Sequence, residues 1–452
     1  MQENNMGVMP VKKLLFNMSA PMMVSMVVQA LYNIVDSIFV AKIEEEALTA
    51  VSLAFPVQTL MIALSTGTGV GVNALLSKSL GEGDRDKAGK AAKNGIFMSV
   101  VCYIVFMVIG LILVEPFYLS QTDDVKILTY GKQYLSVVCI LSIGLFLQMI
   151  FERILQATGR TFYTMITQAV GAVINMIMDP LLIFGVGFFP EMGVYGAAVA
   201  TVFGQTVACI LAVIFNIKKN TDVSVSFRGF RPDIRIIGTI YKVGLPSIIM
   251  QSISSVMVYG MNKILLFVST PTATAVFGVY FKLQSFVFMP IFGLNNGMIP
   301  IVAYNYGAGK RKRLIDTVKY ATIVALIIMT LGTLIFETLP RILLGFFEAS
   351  ENMMQIGVPA LRIIAIHFPI AAFCIILGSM FQALGNGIYT MITSLCRQLF
   401  VLLPVAYLLS LSGEVGYVWW AFPIAEIMSA ACTIFFFIRI KKKVIDKIPD
   451  KD

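Results

Sequence analysis

Long apolar stretches dominate this chain, and short polar segments separate them. Twelve stretches reach the roughly 18–20 residues that a helix needs to cross a hydrocarbon core of about 30 Å. They lie near 14–41, 48–80, 92–115, 127–155, 161–187 and 192–217, then 237–268, 272–306, 316–343, 355–384, 388–411 and 414–440. The short alternating segments of a transmembrane barrel are not the pattern. The chain therefore reads as an all-α polytopic membrane protein with twelve transmembrane helices. Several stretches are longer than a crossing requires, so tilt or extension into water is expected. The first, Leu14–Ala41, is too long for the apolar region of a signal peptide, and no small-residue cleavage site follows it.

The second half repeats the first. Tyr163–Thr167 recurs as Tyr389–Thr393, 226 residues on, which is half the chain. Gln156, Ala157 and Gly159 pair with Gln382, Ala383 and Gly385 at that spacing. Gln58, Gly67, Gly71, Gly81, Gly83 and Arg85 pair with Gln284, Gly293, Gly297, Gly307, Gly309 and Arg311, and Pro21 pairs with Pro246 one residue out of step. Two related apolar halves of six spans are the mark of a transporter built by duplication. The expected organisation is a first lobe over 1–217, a polar and basic linker over 218–236, and a second lobe over 237–452.

Charge distribution sets the orientation. Lys12, Lys13, Lys78, Arg85, Lys87, Lys90, Arg160, Lys218, Lys219, Arg228, Lys310–Arg313 and Lys441–Lys443 fall in one set of loops. The other set carries few basic residues beside Glu44–Glu46, Asp123, Asp124, Glu348 and Glu351. Basic loops stay inside, so both termini are expected in the cytoplasm of a cell-membrane protein. Each half then begins inside, and the halves should relate by a pseudo-twofold axis along the membrane normal. The net charge of +9 is thus a topology signal and not a nucleic-acid patch. The six cysteines all lie in apolar stretches without a CxxC pair, and read as free packing thiols.

Ionisable residues inside a membrane cost roughly 2.5–3.5 kcal/mol each on insertion scales, so each needs a reason. Asp36 lies in span 1, with Gln29 and Asn33 on the same helical face. Asp179 lies in span 5, one turn after Asn175, and Pro180 frees the carbonyl of Met176. Thr201 lies one turn after Ala197 in span 6. Carboxylates, an amide, a hydroxyl and carbonyls suit a hard cation such as Na⁺ or hydronium. Burial also favours the neutral form of a carboxyl group, which suits proton uptake. The plainer alternative is a structural hydrogen bond for each acid. The second half lacks an acid at the mate of Asp36, where Met261 stands, and carries Lys263, Lys282, Arg362, Arg397 and Glu426. Glu426 is expected to form a structural pair with Lys282 or Arg397, the alternative being a second coupling or substrate-binding acid, and His367 to be a packed, hydrogen-bonded side chain rather than a proton relay. A substrate cavity is expected from Gln29, Asn33, Met257, Met261, Lys282, Gln284, Phe288 and Met289, because soft apolar side chains adapt to varied ligands. Packing alone also accounts for such a cluster. No Walker lysine motif, HExxH or GxSxG is present, so an enzyme is not expected.

Several segments together resemble the multidrug and toxic compound extrusion (MATE) family over essentially the whole chain, in particular its bacterial MepA-like branch. They are Ala30–Val40, Ala50–Pro56, Gly67–Ala74, Asn175–Pro180, Gly196–Thr201 and Phe277–Ser285. The resemblance implies two six-helix lobes around a V-shaped central cavity. It implies a first-lobe cation site at Asp36, Asn175, Asp179 and Thr201, with the Ala197 carbonyl beside it, and a bending proline at Pro21. The Na⁺-driven branch also uses acids in helices 7 and 10, where this chain has none. The function so implied is a multidrug efflux antiporter, exporting amphipathic, mostly cationic compounds in exchange for H⁺ or Na⁺. The alternative is a flippase for a lipid-linked precursor, which Lys263, Lys282 and Arg397 would suit. Expected partners are small-molecule drugs and the lipid bilayer, with no cofactor beyond the coupling ion and a monomeric state.

Overall fold

The computed structural model describes residues 4–187, 189–268, 271–347 and 349–449. Among these residues every regular element is helical. The first half runs α1 (Asn5–Val8), α2 (Val11–Ala41), α3 (Glu45–Gly81), α4 (Arg85–Ile112), α5 (Val114–Leu119), α6 (Val125–Ile140), α7 (Ile143–Ala157), α8 (Thr161–Ile183) and α9 (Gly193–Lys219). The second half begins with α10 (Ile234–Val268), α11 (Pro271–Ala308), α12 (Arg311–Thr338), α13 (Pro340–Gly345), α14 (Glu351–Ala365) and α15 (Phe368–Ala383). It ends with α16 (Gly387–Leu395), a π-helical stretch (Cys396–Leu402), α17 (Leu403–Ser410), α18 (Val415–Val418) and α19 (Ala421–Lys443). Among the described residues ten helices are long and apolar enough to cross a membrane. Two bent pairs, α6 with α7 at 44° and α14 with α15 at 47°, bring the number to twelve. The fourth and tenth spans, read from sequence as single stretches, are therefore broken. In the tenth the break falls just before Pro369, whose missing N–H cannot continue the helical ladder. Glu348 lies outside the described residues.

Turn chemistry follows the repeat. Gly83, Gly159, Gly309 and Gly385 end α3, α7, α11 and α15 with φ of 80°, 83°, 72° and 78°, a region that side chains with a Cβ avoid. Asp124 accepts from the backbone N–H groups of Lys126 and Ile127 at the start of α6. Its repeat mate Ser350 accepts from Met353 N at the start of α14. Both are N-caps that satisfy otherwise unpaired donors.

By contact the chain forms two compact units, Ala20–Ile248, and Met1–Ser19 with Ile249–Asp452. The boundaries fall inside α2 and α10, beside Pro21 and Pro246. The repeat instead divides the chain in the 218–236 linker, so the first turns of α2 pack with second-half helices and those of α10 with first-half helices. Glycines make room for both. A Cβ on Gly71 of α3 would collide with the Ile240 carbonyl, and one on Gly67 would lie 2.8 Å from the Gly244 carbonyl oxygen. A Cβ on Gly297 of α11, the mate of Gly71, would lie 2.7 Å from Ser19 Cα.

In the Ala20–Ile248 unit the core gathers Val40, Ala54, Met61, Phe106, Tyr134, Phe146, Ile183 and Ala197. Tyr118 is fully buried and donates its hydroxyl to the Ala50 carbonyl at 2.7 Å. In the other unit, rings of Phe277, Tyr280, Phe288, Phe336, His367, Phe368 and Phe422 form a continuous aromatic core. Phe55, Leu111, Phe162, Phe267 and Phe400 are exposed. Large apolar side chains on the outside suit a chain whose surroundings are hydrocarbon.

Candidate functional site

The first-half site rests on two helices that approach closely. Gly171 of α8 and Gly204 of α9 face each other; a Cβ on Gly204 would lie 2.7 Å from the Gly171 carbonyl oxygen and 3.1 Å from Asn175 Cβ. That approach brings Asn175 and Asp179 of α8 against Thr201 and Ala197 of α9. Asp179 is wholly buried, Asn175 and Thr201 nearly so. The Asn175 amide orientation is assigned from its partners: with the nitrogen toward Asp179 Oδ2 it donates at 2.9 Å, and its oxygen then accepts from the Thr201 backbone N–H at 3.0 Å. The opposite orientation would set the amide oxygen against the carboxyl oxygen. Thr201 Oγ1 donates to the Ala197 carbonyl at 3.0 Å.

Asp36 reaches this group from α2. Its carboxyl group is in hydrogen-bonding contact with that of Asp179. Among the described residues no hydrogen bond reaches Asp179 Oδ1, which is buried. Two carboxylates in contact repel strongly unless a positive charge sits between them, and the smallest such charge is a proton. The pair therefore calls for one proton or one cation. Asp36, Asn175, Asp179, Thr201 and Ala197, expected together from sequence, are brought together. Among the described residues no three His, Cys, Asp or Glu side chains converge. The oxygen set is thus one of two carboxyl groups completed by neutral amide, hydroxyl and carbonyl groups, which suits a proton or a monovalent ion better than a divalent one.

Sequence reading missed three members. Tyr32, one turn before Asp36, hydrogen-bonds Thr201. Tyr134 of α6 accepts from Gln58 Nε2 of α3 at 3.0 Å, close enough to interact with both acids. The four-residue spacing of Tyr32 and Asp36 was the available signal. Gln58 was visible only as a repeat residue, and nothing in the sequence marked Tyr134. Glu152 and Arg153 of α7, charged residues within an apolar span, were also passed over. Glu152 is buried and accepts from Gln148, Thr167 and Gln168 at 2.9, 2.8 and 2.7 Å, while Arg153 donates to Gln156 at 3.0 Å. A fully hydrogen-bonded carboxyl group of this kind ties helices together.

The expected cavity residues part company. Met257, Met261 and Phe288 are buried in the aromatic and aliphatic core, which is the packing alternative. Gln29, Gln284 and Met289 are half-buried, Asn33 is exposed, and Lys282 lines a cavity of about 460 Å³ with Asn262, Thr274, Phe277, Phe281 and Ser285. Of the two partners expected for Glu426, the structure selects Arg397, with Nη1 3.0 Å from Oε2. Lys282 Nζ instead stands 6.0 Å over the Phe347 ring. His367 is buried, with Nδ1 against the Ile364 carbonyl, as expected of a packed histidine.

Comparison with known proteins agrees with this architecture. The MatE family model matches residues 21–181 and 246–408, once in each half. The multidrug export protein MepA of Staphylococcus haemolyticus is 26% identical over 440 residues, covering 96% of this chain and 95% of its own. MepA of Staphylococcus aureus is 25% identical over 434 residues, covering 95% and 94%. Among solved structures, a MATE protein in complex with MaL6 superimposes with a TM-score of 0.92 at 25% identity, over 99% of this chain and all of its own. A MOP superfamily transporter from Pyrococcus furiosus gives 0.91 at 25% identity, over 99% of both chains. With its two matched halves the chain belongs to the MatE family of membrane transporters.

Proposed function

We propose that this protein is a multidrug efflux antiporter of the cell membrane. It exports amphipathic, mostly cationic compounds in exchange for H⁺ or Na⁺, with both termini in the cytoplasm and the exchange seated in the first-half lobe. The observation that carries the reading is the contact between Asp36 and Asp179 inside a shell of Asn175, Thr201 and Ala197. The similarity to proteins described as multidrug export proteins supports the substrate class. A site that calls for one positive charge can be filled by the coupling ion or answered by a cationic substrate, and that competition is what an antiporter needs. Ion binding then shifts the balance between two conformations by its preference for one of them.

Ethidium efflux from proteoliposomes, driven separately by a Na⁺ gradient and by a pH gradient, tests this. One gradient is expected to drive efflux and the other not. No efflux under either gradient sinks the proposal. Thr201→Val keeps the shape of the side chain and removes its hydroxyl. It is expected to weaken the apparent affinity for the coupling ion by about tenfold, the worth of one hydrogen bond near 1–1.5 kcal/mol. An unchanged ion dependence of efflux would remove Thr201 from the site.

A further inference from the structure

The second half holds a second buried polar cluster, on the repeat mates of the helices that form the first-half site. Asn175, Asp179 and Thr201 stand on α8 and α9, the fifth and sixth spans. Arg397 and Glu426 stand on the eleventh and twelfth, the π-helical stretch and α19. Gln58 of α3 reaches the first site, and its mate helix α11 brings Tyr280 to the second, one turn before Gln284. We propose that Glu426 is a second proton-binding group, which takes up a proton when its ion pair with Arg397 opens.

Geometry carries this in three ways. First, the ion pair uses only half of the carboxylate. Glu426 is 2% exposed; Oε2 meets Arg397 Nη1 at 3.0 Å, while Oε1 is buried with no hydrogen-bond partner among the described residues. Tyr280 Oη, also buried without one, lies in the same cluster, near enough to interact with both Arg397 and Glu426. A purely structural pair is worth keeping in a membrane only when every remaining lone pair is satisfied, and this one is not. Second, the two partners are unequally held. The Arg397 side chain is 28% exposed against 2% for Glu426, so the arginine is the less enclosed of the two. Third, Arg397 sits in a π-helical stretch that ends just ahead of Pro404. The wider turns relieve the clash between the proline ring and the preceding carbonyls, and such stretches are frequent at functional sites.

The groups that face Glu426 are Tyr280 of α11, His367 at the break before α15, Cys374 of α15, and Arg397. His367 is stacked on Phe422, one turn before Glu426 on α19. Arg397 beside the acid repels a second metal cation but not the transfer of a proton that accompanies its own departure. Hydronium gives up the proton and leaves as water, and the proton forms an O–H bond on Glu426. Arg397 keeps its own proton and carries its charge away from the carboxyl group. The cluster loses no net charge in this exchange, which is why it can occur in a medium of low dielectric constant.

The proposal rests on the export reading for its role, so its test has a readout that needs no export. Infrared difference spectra of the purified full-length protein in lipid, between neutral and mildly acid buffer, detect protonated carboxyl groups directly. Subtracting the Glu426→Gln spectrum from wild type isolates Glu426. A protonated-carboxyl band is expected in that difference, and it should persist when both proteins also carry Asp36→Asn and Asp179→Asn. Absence of the band overturns the proposal, whether or not wild-type vesicles export dye. The role is read with Arg397→Met/Glu426→Met, which replaces the pair by apolar groups of similar size and keeps the fold testable where a single variant fails. In vesicles where wild type exports ethidium, this variant should fold and lose about tenfold in initial rate, within the usual range of coupling free energies. A folded double variant with wild-type rate and pH profile would make the pair structural and overturn the coupling role. Failure of wild type to export would overturn the export reading alone.

Discussion

Asp36→Asn and Asp179→Asn will each abolish gradient-driven efflux while leaving the protein folded. The two carboxyl groups touch, and Asp179 is wholly buried. Their contact is tolerable only with one positive charge between them, so the pair converts ion occupancy into a large local energy difference. Asparagine keeps the size and the hydrogen-bonding oxygen but cannot hold that charge. The expected loss in initial rate is about 100-fold, the upper part of the range for coupling free energies. Stability should move the other way, because removing one of two contacting acids removes a repulsion. A melting temperature equal to or above wild type is therefore expected in the same preparations. A structural hydrogen bond, the plainer alternative for each acid, predicts the reverse pattern of lower melting temperature with efflux intact. Wild-type efflux from either variant would end the assignment of the coupling site.

Much of this was legible in the sequence because the membrane simplifies the code. A chain of long apolar stretches has to be helical, since lipid offers the backbone no hydrogen bonds. Within such helices a carboxyl group stands out against leucine and valine, and the one-turn spacings of Asn33 with Asp36 and Asn175 with Asp179 mark the faces. What remained hidden depends on contacts between helices far apart in sequence. Tyr134 meets the site from α6 with no neighbour in sequence to announce it. Choosing Arg397 over Lys282 as the partner of Glu426 needed the π-helical stretch, whose phase no helical periodicity foretells. Met261 looked like a soft cavity wall, yet it is fully buried, because methionine serves a core as readily as a binding surface. The breaks in the fourth and tenth spans were hidden by continuous hydropathy across them.

Gly71→Ala and Gly297→Ala will each destabilise the protein, although both replace glycine by a better helix former. The two residues are repeat mates, 226 positions apart, on the mated helices α3 and α11. Each seats a segment that leaves its own half: Ile240 of α10 against Gly71, and Ser19 of α2 against Gly297. In both places a Cβ meets backbone atoms, the Ile240 carbonyl in one and the nitrogen and Cα of Ser19 in the other, and no rotamer change relieves a clash with backbone. Overpacking of this kind costs roughly 1–3 kcal/mol. Gly89 of α4 supplies the control, because a Cβ there meets nothing within 4 Å and its φ is not in the left-handed region. Gly89→Ala should be neutral or stabilising by up to about 1 kcal/mol, the helix-propensity gain. Thermal melting of the three purified variants in one lipid mixture separates the cases. Lowered melting for Gly71→Ala and Gly297→Ala beside an unchanged or raised value for Gly89→Ala is the expected result. Equal melting in all three would mean that α2 and α10 do not depend on these seats. The duplicated glycines would then be relics of the repeat rather than the reason each helix can divide its length between the two units.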